Sequence, residues 1–280
     1  MAKGISLHIG VNKVDPEHYG GWSGPLNACE SDAEDLHRIA TVQKFKTQIL
    51  LTSEAKREAV INGIKNAARA LESGDIFFVS YSGHGGQVPD INGDEEDDLD
   101  ETWCLYDGEL LDDELYLLWT HFAPGVRILV LSDSCHSGTV SRAPGGAIAT
   151  APTEGPLAEE LGTVGALVRC MPAAAANKTY RRNQDFYDQL QQELPQERPE
   201  TRATVRLISG CQDNQLSLDG TFNGLFTSRL LRVWNGGRFN GNYSDFHRKI
   251  VRRMPPEQSP NHFVIGASNP EYDREKPFTI

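Results

Sequence analysis

Short apolar runs, rich in β-branched and aromatic residues, alternate along this chain with stretches whose apolar residues recur at helical spacing. Ile5–Ile9, about Thr47–Leu51, Asp75–Tyr81 and Val126–Ser132 have the length and composition of buried strands. The last of these, Val-Arg-Ile-Leu-Val-Leu-Ser, is the clearest. Between the first two, Ala28–Ala40 reads as a helix, following a Gly- and Pro-rich loop over Asn12–Asn27. Before the third, Val60, Ile64, Ala67, Ala68 and Leu71 share one helical face, and Thr52 and Ser53 are good N-cap types. Asp112 or Asp113 can cap a further helix to about His121. Near the end, strands are expected at about Val205–Ser209 and His262–Ile265, and helices near Gly224–Trp234 and Tyr243–Met254. Strands alternating with helices define an α/β fold with a mostly parallel central sheet flanked by helices, and no internal repeat interrupts it. In such sheets ligands bind at the carboxyl ends of the strands.

Composition narrows the functions open to such a fold. Hydrophobic residues make up 39% of the 280, enough for a sizeable core. The net charge of −12 disfavours a basic nucleic-acid binder. No apolar run approaches the ~20 residues that span a bilayer, and the first residues do not read as a signal peptide. Five cysteines (Cys29, Cys104, Cys135, Cys170, Cys211) form no CxxC pair. Free thiols in a soluble, cytoplasmic protein are expected rather than a disulfide framework or a thiolate zinc site. The acidity is local: Asp90–Glu114 holds thirteen Asp and Glu and no Lys or Arg, and the remaining chain is close to neutral. That stretch reads as a solvated loop, or as a cation-binding or regulatory one.

Two strand ends carry the residues of a nucleophilic site. Tyr81-Ser82-Gly83-His84-Gly85-Gly86 follows one buried strand, and Ser132-Asp133-Ser134-Cys135-His136-Ser137-Gly138 follows another. If those strands are neighbours, His84 and Cys135 stand at one sheet edge as base and nucleophile. Glycines beside His84 let backbone approach a substrate carbonyl, and the N–H groups near Gly85 and Cys135 are natural oxyanion donors. His136 adjoins the cysteine, but adjacent side chains point apart, so His84 is the better base. Asp133, two residues from the thiol, would raise its pKa and slow its attack. A carboxylate there suits another task, such as holding a guanidinium or ammonium group.

The sequence resembles the caspase-like cysteine peptidases, in particular the bacterial metacaspases (orthocaspases). The matching segments are Leu26-Asn-Ala-Cys-Glu-Ser-Asp-Ala33, Tyr81-Ser-Gly-His-Gly-Gly-Gln87, Asp133-Ser-Cys-His-Ser-Gly138 and Ile208-Ser-Gly-Cys-Gln-Asp-Asn-Gln215, in family order over most of the chain. The caspase spacing of ~50 residues from His to Cys is kept, while the Gln-Ala-Cys signature of animal caspases is absent. The resemblance implies a caspase-like fold, His84 as general base or acid and Cys135 as nucleophile. It also implies a substrate pocket of Cys29, Asp32, Ser82 and Asp133. Taken by itself, Asp32 is equally a first-turn helix carboxylate.

Some metacaspases bind activating calcium through four aspartates. Asp100, Asp112 and Asp113 match three of them, and Arg142 falls near the fourth. Calcium stimulation is therefore kept open, with no cofactor obligatory. An EF-hand over Asp90, Asn92, Asp94 and Glu101 is rejected, because Glu95 stands where the turn needs Gly. The stretch would alternatively steer basic peptides to the cleft.

The domain expectation is one peptidase domain over 1–280. It has a large-subunit-like part at 1–138, a flexible linker at 139–203 with a short helix near Asp185–Glu193, and a small-subunit-like part at 204–280. The linker carries Arg142, Arg169, Lys178, Arg181, Arg182, Arg198 and Arg202, where a protease preferring basic residues could cut itself. The expected activity is a cysteine endopeptidase cutting after Arg, with Lys second, through an acyl-enzyme. The expected partners are basic protein or peptide substrates and a regulatory protein, with no nucleic acid and no membrane. The alternatives are a caspase-like protease of other specificity and an inactive scaffold that binds partners.

Overall fold

A computed structural model describes residues 2–91, 93, 98–135, 167–195, 198–211, 215 and 217–280. Expectations that fall on Asn92, Asp94, Glu95, His136 or Arg142 lie outside these residues.

The central sheet has six strands: β1 (Gly4–Gly10), β2 (Lys46–Leu51), β3 (Ile76–Ser82), β7 (Arg127–Asp133), β8 (Thr204–Ser209) and β9 (Asn261–Gly266). Their order is β2-β1-β3-β7-β8-β9. All neighbours are parallel except β9, which runs antiparallel to β8. Strands β3 and β7 are buried along their whole length, which is why they read as continuous apolar runs. Period-two alternation then divides their side chains between two cores. Phe77, Val79, Ile128 and Val130 pack on one side with Val60, Ile64 and Ala67 of α2 (Arg57–Ala70). On that side also lie Leu115, Leu118 and Trp119 of α3 (Asp112–Thr120). Phe78, Leu129 and Leu131 pack on the other, with Leu36 and Ile39 of α1 (Cys29–Val42). There they also meet Phe226 and Leu230 of α6 (Leu225–Trp234) and Phe246 and Ile250 of α7 (Tyr243–Val251). The last helix, α8 (Pro270–Arg274), adds Tyr272.

Three local expectations are corrected. The acidic stretch is not one loop: it contains β5 (Leu99–Leu105) and β6 (Gly108–Leu111), which with β4 (Gly85–Pro89) form a small antiparallel sheet. Thr102, Trp103, Cys104 and Leu105 are strand formers whose buried side chains outweigh the acidic residues among them. Second, the expected linker holds, besides the expected helix α5 (Gln184–Glu193), a further helix α4 (Ala173–Arg182) where flexible chain is expected. Four alanines after Pro172, which stands at the N-cap, are strong helix formers. Tyr187 of α5 then packs with Val88 and Leu111 on the small sheet. Third, Thr52 and Ser53 lie in a short 3₁₀ turn, and the cap of α2 falls at Lys56.

Candidate active site

Strands β3 and β7 are neighbours in parallel register, with Ser82 opposite Asp133. His84 and Cys135 therefore leave the same carboxyl edge, two residues past each strand end. Both are buried. His84 Nε2 lies 3.0 Å from the carbonyl oxygen of Gly24. A carbonyl only accepts, so Nε2 carries the proton and Nδ1 presents a lone pair. That Nδ1 has no hydrogen-bond partner among the described residues. An oriented imidazole with one free basic nitrogen is the arrangement a general base requires. Gly24 is itself a requirement of this contact: its φ is +49°, and a Cβ there would sit 2.9 Å from His84 Nε2 and closer still to Trp22. The Trp22 ring covers the imidazole at 4.8 Å between centroids. Burial pushes the His84 pKa down to about 4, against the Gly24 hydrogen bond and the Asp219 and Cys135 charges; nearby Arg169 adds to the fall.

The Cys135 thiol donates to the Gln215 carbonyl at 2.7 Å. The backbone N–H groups of Cys135 and Gly85 converge on a single acceptor, the carbonyl oxygen of Arg169, each at 3.0 Å. Two N–H donors aimed at one carbonyl oxygen beside a thiol have the form of an oxyanion hole.

The Arg169 side chain is fully buried among carboxylates. Its Nη2 lies 2.7 Å from Asp32 Oδ2 and 2.8 Å from Asp219 Oδ1, and its Nη1 lies 2.9 Å from Asp133 Oδ2. Nη1 also donates to Ser82 Oγ at 2.7 Å. Each carboxylate is held in turn. Asp32 accepts from Ser82 Oγ, Asn223 Nδ2 and the Gly224 N–H. Asp133 accepts from Ser217 Oγ and Thr227 Oγ1, and Asp219 from the Asn27 N–H. Cys29 lies on the same wall, its buried thiol hydrogen-bonded with Ser82 and raised well above the ordinary range by burial. A Cβ on Gly224 would fall 2.6 Å from the guanidinium, so the close approach of backbone here needs glycine. Three carboxylates face one cation. Burial drives the Asp32 carboxyl up to about 6; Arg169 pulls it down and the Asp133 charge pushes it further up.

The four expected pocket residues thus converge, together with the two expected reacting ones. Asp219, Asn223, Ser217 and Thr227 escaped the sequence reading. They lie on or just after the irregular segment following β8, where neither period nor motif marks them. The three candidate calcium ligands fare differently. Asp100 lies on β5 opposite Val88, and Asp112 and Asp113 open α3. Asp113 Oδ1 is 2.8 Å from Arg198 Nη2, which brings a positive charge to the spot an ion would need. No group of three His, Cys, Asp or Glu among the described residues is arranged to hold a metal.

A parallel sheet with a thiol, an imidazole and two convergent N–H groups at its carboxyl edge defines a caspase-like protein of the cysteine peptidase class. The chain belongs to the caspase-domain family, whose profile matches residues 3–278. It is 29% identical to Metacaspase-1 of Kluyveromyces lactis over 254 residues, covering 80% of this chain and 56% of that protein. Metacaspase-1 of Coccidioides immitis is 31% identical over 257 residues, covering 80% and 52% respectively. The chain therefore spans about half the length of these fungal relatives. The crystal structure of protein GSU0716 from Geobacter sulfurreducens superposes with a TM-score of 0.87 at 52% identity, covering 99% of both chains.

Proposed function

We propose that this protein is a cysteine endopeptidase that hydrolyses peptide bonds after arginine, with lysine second. Cys135 Sγ attacks the carbonyl carbon, and the N–H groups of Gly85 and Cys135 hold the oxygen as it gains charge. His84 Nδ1 receives the thiol proton and passes it to the leaving amine; water then releases the acyl group. The observation that supports the specificity is the guanidinium of Arg169 seated on Asp32, Asp133 and Asp219. A planar fork pairs with several carboxylates at once, whereas an ammonium is a point charge with fewer fixed donors, so arginine should outrank lysine. We place the protein in the cytoplasm among basic peptide or protein substrates, in keeping with its five free thiols. No helix among the described residues is long and apolar enough to cross a membrane.

The test is a matched set of peptides with Arg, Lys, Gln or Asp before the scissile bond. Truncating one carboxylate of a buried charge pair costs ~2–5 kcal/mol. Asp133→Ala should therefore lower kcat/KM on the arginyl peptide by about two orders of magnitude, at ~1.4 kcal/mol per factor of ten, and affect the Gln peptide far less. Preferred cleavage after Asp would sink the assignment. The second reading is a caspase-like scaffold that binds a regulatory partner. It is favoured by one observation, that Cys135 and His84 are both covered in this state. Titration of a reactive thiol separates the two: a scaffold shows none under any condition.

A further inference from the structure

On the small sheet, next to the strand that supplies one oxyanion donor, lies a buried carboxyl group that the reaction above does not use. Glu109 of β6 is fully enclosed. Thr102 Oγ1 of β5 donates to its Oε2 at 2.6 Å. Gly86 stands opposite Thr102 in register, and a Cβ there would fall 2.6 Å from the same Oε2 and 2.8 Å from Thr102 Oγ1. The carboxyl group is therefore packed on the backbone of β4, one residue from the Gly85 N–H. Arg57 of α2 gives its guanidinium to Glu114 and to the Glu109 carbonyl oxygen, not to the carboxyl group. Tyr187 Oη of α5 accepts from the Glu109 N–H at 3.2 Å, but it lies 3.4 Å from Oε1 and is a weak donor to it. Thr102 is thus the single strong donor to this group among the described residues, too few for a buried carboxylate. Burial lifts the Glu109 carboxyl to about 7, against the hydrogen bonds of Thr102 and Tyr187 and the charge of Arg57.

The other titratable groups that face it are Cys104 of β5, Tyr187 of α5, Tyr81 of β3 and Tyr19 in the loop after β1. Burial pushes each of them well above its ordinary range. His18, 2.7 Å beyond Tyr187 Oη, is pushed down by burial, and Arg57 keeps its charge. Within this cluster, only Glu109 changes charge as pH rises through neutrality.

We propose that Glu109 is a positioning residue for the Gly85 N–H: as the neutral acid it braces β4 through Thr102 and Gly86, whereas its ionised form opposes the charge gathering on the substrate oxygen, so turnover is highest while it keeps its proton. The proposal rests on the peptidase reading above, in which Gly85 holds that oxygen. A negative charge set beside an oxyanion donor weakens the stabilisation that the donor gives. The acidic pocket is built from other residues, so the effect belongs to kcat and not to KM. Asp32, driven up to about 6, ionises near the same range, but its charge helps to hold arginine and acts in the opposite direction.

The test follows kcat and KM of the full-length wild type on the arginyl peptide from about pH 5.5 to about pH 9. The wild-type kcat should fall about tenfold as pH rises through about 7, at constant KM. Glu109→Gln still accepts from Thr102 but takes no charge, and should keep its kcat across that range. Thr102→Val removes the strong donor to the carboxylate, and should move the midpoint up by about one pH unit. This second variant decides the matter should Glu109→Gln fail to fold. A structural Glu109 would lower kcat alike at every pH in the Gln variant and leave the midpoint in place, and that result would overturn the proposal. A midpoint that stays or moves down in Thr102→Val would do the same. Wild-type turnover with no fall near 7 would overturn this proposal alone. A wild type that never turns over the peptide at any pH would overturn the peptidase reading and this one with it.

Discussion

His84 shows how far a single residue can be set by what surrounds it. Its ring is buried beneath Trp22, its Nε2 proton is taken by the Gly24 carbonyl, and burial outweighs the nearby carboxylate in bringing its pKa to about 4. The folded value lies below the ordinary 6.5, so the unfolded chain takes up the proton first. Stability should therefore fall as pH drops from about 6.5 to about 4 on account of this group, and be unaffected by it above 6.5. In the Cys135→Ala protein the His84 ring should titrate near 4 by NMR. A midpoint at 6.5 would mean that the ring is solvated and Arg169 does not cover the site. The remaining histidines keep ordinary roles where they are described. His8, for example, bonds Ser6 and Ser80 in the sheet interior.

Elements fix the site by where they end and how they are pinned. Helix α2 is tied to α3 by the two 2.9 Å contacts of Arg57 with Glu114, beside the small sheet that Gly85 opens. Across the sheet, the buried Arg206 of β8 lies 4.9 Å and 4.8 Å from the ring centroids of Tyr243 and Tyr272, locking α7 and α8 onto the strand. Helix α7 begins at Asn242, whose side chain accepts from the Asp245 N–H at 2.9 Å. Asn242→Ala should cost ~1 kcal/mol of stability. Denaturant melts should show a lower midpoint at unchanged slope, with turnover per folded molecule unaltered because the cap bonds Asp245 of its own helix rather than a residue of the site. A comparable loss of turnover would show that α7 is coupled to the site.

For the molecule as a whole, the proposed preference for basic substrates predicts that the acidic excess acts on how they arrive. A surplus of negative charge at one stretch attracts basic peptides and is screened by salt, with a reach of ~10 Å at 0.1 M. The kcat/KM on an arginyl peptide should fall as salt rises, whereas an uncharged peptide of the same length should be indifferent. With Asp113 held by Arg198, chelator should leave activity unchanged. A saturable requirement for millimolar calcium would mean that Asp100, Asp112 and Asp113 rearrange to take an ion, and Arg198→Ala would then sharpen the response.

The sheet was legible because a strand buried on both faces must be apolar at every position. Val126–Ser132 and Asp75–Tyr81 declare themselves within one residue of β7 and β3, and the polar residues that follow them become the site by position alone. The motifs around His84, Cys135 and Asp133 were legible because they sit where strands stop, whereas Asp32, in the first turn of α1, was marked only by the family resemblance. The strands of the acidic stretch were hidden, since their partners lie in one another rather than in any local period. Asp219, Ser217 and Thr227 were hidden too, because their significance lies only in the carboxylates and cation they meet across the fold. Arg169 stood in the sequence as one basic residue among seven in a linker. Only the tertiary structure sets it apart, because a guanidinium can enter a low-dielectric interior only where carboxylates from α1, from the end of β7 and from the segment after β8 are already gathered to receive it.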